Sequence, residues 1–133
     1  MTGFRCSRVI CVVQMLCAFG FAGDKRCEEA VFDEDAAAIY SCFYPAQTIL
    51  EAYADFRESR IQESPDDPGY KNLRVKLEIG KNHKYADDDV EIQYTWNNDK
   101  ALVVNIYYAG GETDAEFTRE PDGTRSIVTF SPD

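Results

Sequence analysis

Hydrophobic and polar positions alternate with a period of two through much of the second half of the chain. Leu73, Val75, Leu77 and Ile79 alternate with Arg74, Lys76 and Glu78, and Val90, Ile92, Tyr94 and Trp96 alternate with Glu91, Gln93 and Thr95. That period places one face in a core and the other in water, so each stretch predicts a half-buried strand. Ala101–Tyr108 is apolar on both sides, with Leu102, Val104, Ile106 and Tyr108 on one face and Val103 and Tyr107 on the other. A strand of this kind is central, or its second face meets something besides water. Ala115–Arg119 is weak and charged, which predicts an edge, and Ser126–Phe130 predicts the last strand. Asn97–Lys100, Gly110-Gly111 and Pro121-Asp122-Gly123 carry turn signals between these strands. Gly80–Asp89 reads as a polar loop.

The period changes to three and four upstream. Ile49, Leu50, Tyr53, Phe56 and Ile61 recur at helical spacing, with Glu51, Asp55, Glu58 and Gln62 opposite, which predicts an amphipathic helix over about Ala46–Gln62. Two prolines and a glycine in Ser64–Gly69 end it. A first helix is expected from Asp33-Glu34-Asp35 through Ala36-Ala37-Ala38 and on to Phe43, because acidic residues suit a helix start and alanine propagates it. Pro45 either kinks one long helix or opens the second. The fold class is therefore α+β: an N-terminal helix or kinked helix pair packed on a four- to five-stranded antiparallel meander. The sheet face carrying Val75, Ile92, Val104 and Phe117 is expected to pack on the Ile49–Ile61 helix.

The N-terminus has a different character. Arg5 and Arg8 precede an uncharged run, Val9–Ala22, and Gly20 and Ala22 stand at −3 and −1 of a cleavage point. This is the pattern of a secretory signal peptide over residues 1–22, too short to span a membrane. It leaves one secreted domain over 23–133. All 24 acidic residues and 12 of the 14 basic ones lie in that part, for a net charge of about −12 (12 minus 24). Such a charge opposes binding to nucleic acid or to an anionic membrane. Export also changes the reading of the cysteines. Cys6, Cys11 and Cys17 leave with the signal, so Cys27 and Cys42 are expected to pair in an oxidising compartment.

Motifs for catalysis are scarce. His83 is the one histidine, in a polar stretch without a Ser or Cys partner pattern. No zinc or phosphate-loop spacing occurs, and no cofactor is implied. Asp87-Asp88-Asp89 with Glu91 is the densest acidic cluster but lacks the EF-hand spacing for calcium, so no metal site is assigned. Aromatic residues make up 13% of the chain, and Tyr94, Trp96, Tyr107 and Tyr108 gather on neighbouring strands. With Val103 they are the candidate binding residues, since aromatic side chains dominate binding hot spots. Three functions follow. The first is a small acidic secreted interaction protein, of effector, inhibitor or host-interaction type, using an aromatic-rich sheet face against an extracellular protein. The second is a carrier of a small apolar ligand between sheet and helices. The third is a small hydrolase working through carboxylates.

Overall fold

The computed structural model describes residues 24–32 and 38–132, with the backbone alone at 29–32. The expected signal peptide, residues 1–22, lies outside the described residues. Seven strands form one antiparallel sheet: β1 (Arg26–Phe32), β2 (Ala38–Pro45), β3 (His83–Ala86), β4 (Val90–Asn97), β5 (Ala101–Tyr108), β6 (Gly111–Glu120) and β7 (Gly123–Pro132). One helix, α1 (Ile49–Glu63), sits between β2 and β3 in sequence. The sheet order is β1-β2-β7-β6-β5-β4-β3. The strands β3 to β7 are a meander of consecutive hairpins, and β2 returns to close against β7, in register from Ala38 opposite Phe130 to Pro45 opposite Gly123. At Gly123 the two strands meet so closely that a Cβ would strike the Tyr44 carbonyl oxygen.

The α+β class stands, with more strands and fewer helices than expected. The first helix is replaced by strand: residues 38–45 belong to β2, while Asp33–Ala37 lie outside the described residues. Helix propensity of an alanine run is a weak preference beside eight ladder positions against β7. The pattern from Ala38 to Tyr44 also has a period of two once read as strand. Tyr40, Cys42 and Tyr44 share one face, and Ile39, Ser41 and Phe43 the other. Cys27 and Cys42 are direct cross-strand partners and form the disulfide that joins β1 to β2.

The stretch Leu73–Ile79 is irregular and pairs with nothing as a strand. The backbone groups of Leu73 and Arg74 are taken by side chains instead. The Tyr53 hydroxyl donates to the Arg74 carbonyl at 2.6 Å, Arg57 Nε to the Leu73 carbonyl at 3.0 Å, and the Arg74 N–H to the Tyr94 hydroxyl at 2.8 Å. Leu73 is buried, whereas Val75 and Ile79 are 70% and 59% exposed, so Val75 is not part of the core face. Within the expected polar loop stands β3, a short edge strand with Lys84 and Ala86 exposed and His83 and Tyr85 half-buried. The expected charged edge, Ala115–Arg119, is instead part of β6, between β5 and β7 near the middle of the sheet. A central strand tolerates charge here because only its Thr113, Ala115 and Phe117 side enters the core.

Local chemistry sets the helix. Thr48 and Glu51 form a capping box: the Glu51 N–H donates to Thr48 Oγ1 at 3.1 Å, and the Thr48 N–H to Glu51 Oε1 at 2.9 Å. Ile49, Ala52, Tyr53 and Phe56 form its buried stripe. As expected, Ile92, Val104 and Phe117 are wholly buried on the face that α1 covers. Phe117 meets Tyr53 and Phe56 edge to face, with ring centroids 6.1 and 5.6 Å apart. Burying each of these rings stabilises the fold by about 2 kcal/mol or more through area alone. No helix among the described residues is long and apolar enough to cross a membrane.

Candidate functional site

Each strand of an antiparallel sheet sends alternate side chains to opposite sides. Among the described residues, α1 and the Leu73 segment lie on one side of the sheet, and no element covers the other. The pairing register lays its side chains out in rows. Glu91, Tyr107, Glu112 and Ser131 form one row across β4-β5-β6-β7. The next holds Gln93, Asn105, Asp114 and Thr129, and the third Thr95, Val103, Glu116 and Ile127. A fourth row ends in Arg125, Phe43 and Arg26. The face is thus polarised. Three carboxylates descend β6 over about 13 Å, four residues at a strand's rise, and two arginines mark the far corner.

The acidic part has Val103 and Tyr107 half-buried within it and Ile127 41% exposed beside it. Asn105 donates to Asp114 Oδ1, and Gln93 donates to Glu91 Oε2 at 2.7 Å. Lys84 approaches Glu91 at 3.7 Å. Among the described residues, the ion pairs include none to Glu112, Asp114 or Glu116. The Glu112 carboxyl is pushed up to about 7 by its hydrogen bond with Asp114, by partial loss of hydration and by the Asp114 charge. Burial, then the charges of Glu112, Asp114 and Glu91, raise the Tyr107 phenol above its ordinary range. Glu112 and Asp114 stand on one face of β6 with no ion pair to either among the described residues, which leaves negative potential there. At the far corner, the Arg26 and Arg125 guanidinium carbons lie 5.2 and 5.3 Å from the Phe43 ring centroid. Arg125 is also neutralised by Glu120 at 2.9 Å.

The five candidate binding residues do not form one surface. Val103 and Tyr107 are on the open face. Tyr94 and Trp96 are in the core, 1% and 8% exposed, and Tyr108 points to the same side. The side-chain period of two separates them: Tyr94 and Trp96 belong to the apolar phase of β4, which α1 and Leu73 cover. The residues that sequence reasoning passed over are Glu112, Asp114, Glu116 and Ile127. Their signal was the alternation of acids with Thr113, Ala115 and Phe117, masked by reading the strand as an edge.

Within the Asp87–Asp89 cluster, the Asp87 carboxylate is occupied with its own hairpin. Asp87 Oδ1 accepts from the N–H groups of Asp89 and Val90 at 2.8 and 2.9 Å, and Asp87 Oδ2 accepts from the Tyr85 hydroxyl. These bonds hold the Asp87 carboxyl below its usual range. No group of three or more metal-ligating side chains is assembled among the described residues. His83 is half-buried on β3, opposite Tyr94. Against known proteins, no family model, no curated protein and no solved structure matches the chain.

Proposed function

We propose that this chain is a secreted interaction module whose open sheet face docks a basic surface of an extracellular protein. The observation that carries this reading is the column Glu112, Asp114 and Glu116, without ion pairs among the described residues, around Tyr107, Val103 and Ile127. A field of one sign steers a partner of the other and raises its association rate, while a central aromatic ring supplies the desolvated anchor.

The test is a benzophenone amino acid placed at position 107, with a second chain carrying it at Glu58, on the outer side of α1. Irradiation in extracellular fluid is expected to join the first chain, and not the second, to a protein with an isoelectric point above about 9. Equal capture at both positions, or none at position 107, contradicts the reading.

A further inference from the structure

The opposite side of the sheet is only partly covered. A 15-residue helix is about 22 Å long and about 10 Å thick, so it cannot blanket seven strands. The buried residues of α1 all lie in its first half, from Ile49 to Phe56. Ser59, Arg60 and Glu63 of its second half line, together with residues of β2 and β7, a cleft of about 300 Å³. The strand side is mostly apolar, with Val128, Phe130, Tyr40 and the Cys27–Cys42 disulfide beside Tyr44 and Ser126. Tyr40 is 40% exposed and meets Phe130 edge to face at 5.5 Å. Phe56 closes the inner end.

The rim carries charge, and the charges cancel. Lys25 Nζ lies 2.9 Å from Asp55 and donates to the Ser59 hydroxyl at 3.3 Å. Arg60 lies 2.9 Å from Glu63. An anion drawn to either cation meets a carboxylate within the same reach, and an ammonium drawn to either carboxylate meets a cation. Neither gains a net attraction.

We infer that this cleft is a binding site for a small, neutral, ring-bearing amphiphile, held by its ring against Tyr40, Val128 and Phe130 with a hydrogen-bonding group toward Ser59. The volume is at the lower end of small-molecule sites, and the lining has their composition, mostly apolar with a few polar groups at one side. This site is independent of the acidic face, which lies across the sheet.

Two fluorescent probes with one ring skeleton separate the classes. N-phenyl-1-naphthylamine is neutral, and 8-anilino-1-naphthalenesulfonate adds a sulfonate. The neutral probe is expected to bind saturably, at least tenfold tighter than the sulfonate. Ser59→Phe, which places a ring in the cleft, is expected to abolish that binding at an unchanged melting temperature. Glu63→Gln is expected to narrow the gap between the probes by freeing Arg60. Tyr107→Ala, on the far face, is expected to change nothing. If Ser59→Phe does not fold, Tyr40→Ala serves in its place, with a loss of at least fivefold expected. The inference is overturned by absence of saturable binding of the neutral probe, by equal affinity for both probes, or by a folded variant at position 59 or 40 that binds as the unaltered chain does.

Discussion

Tyr107 and Tyr108 are neighbours in sequence and stand on opposite sides of the sheet. The Tyr108 hydroxyl donates to Asp67 Oδ1 at 2.7 Å, the same oxygen that accepts the N–H groups of Gly69 and Tyr70. Tyr107 faces solvent between Glu91 and Glu112. Tyr108 thereby pins the Pro68–Asn72 turn to β5, and its ring lies so close to Gly69 that a Cβ there would strike it. Removing each hydroxyl should therefore have unequal effects. Tyr108→Phe is expected to lower unfolding free energy by about 1 kcal/mol, the net worth of a hydrogen bond to a charged acceptor that is only partly buried. Tyr107→Phe should change it by less than about 0.5 kcal/mol, as a surface substitution does. Urea denaturation of both variants measures the difference.

The acidic column makes stability depend on pH. The folded Glu112 carboxyl titrates at about 7, above its ordinary 4.5. Between these values the folded chain holds more of this proton than the unfolded chain, so the slope of unfolding free energy with pH is negative there. The stabilisation is complete below about pH 4.5 and lost as pH rises through 7. The groups facing Glu112 are Asp114 on its own strand, Tyr107 and Glu91 beyond it, and Ser131 on β7, and none of these supplies a cation. Glu112→Gln is therefore expected to melt higher than the unaltered chain at pH 8 and equally near pH 4. Melting curves that stay parallel from pH 4 to 8 contradict this assignment.

The disulfide staples an edge. Cys27 and Cys42 are 15 residues apart, and closing such a loop contributes about 3 kcal/mol in the chain-entropy account. Replacing both by serine should lower the melting temperature. It should speed amide exchange in β1 first, while β4 to β6, in the middle of the core, keep their protection. Uniform loss of protection across the sheet is the contrary result.

The start of α1 rests on Thr48. Thr48→Ala removes the acceptor for the Glu51 N–H and is expected to cost about 1 kcal/mol, read by chemical denaturation.

Much of this architecture was legible as periodicity. The strands β4 and β5 and the helix α1 stand where their apolar spacing puts them, because each buries one face against the others. Leu73–Ile79 has the same alternation and is not a strand. The carbonyls of Leu73 and Arg74, at its start, are claimed by Arg57 and Tyr53 across the core, a long-range competition that no local pattern records. Ala38 ends an alanine run that favours helix locally, and the strand partner that outweighs this propensity, β7, lies about 90 residues away. The open face was half visible. The apolar second side of β5 pointed to Val103 and Tyr107. The carboxylates that share that surface became apparent only when β6 was placed beside β5.

We propose that the β6 carboxylates dock a basic partner. The direct measurement compares the unaltered chain with Glu112→Lys/Glu116→Lys in capture from extracellular fluid, each as a folded protein of known melting temperature. The account predicts that a basic protein is retained by the first in a salt-sensitive manner and lost by the second, whose melting temperature is unchanged or higher. Equal retention by both chains, or retention that salt does not weaken, would contradict it.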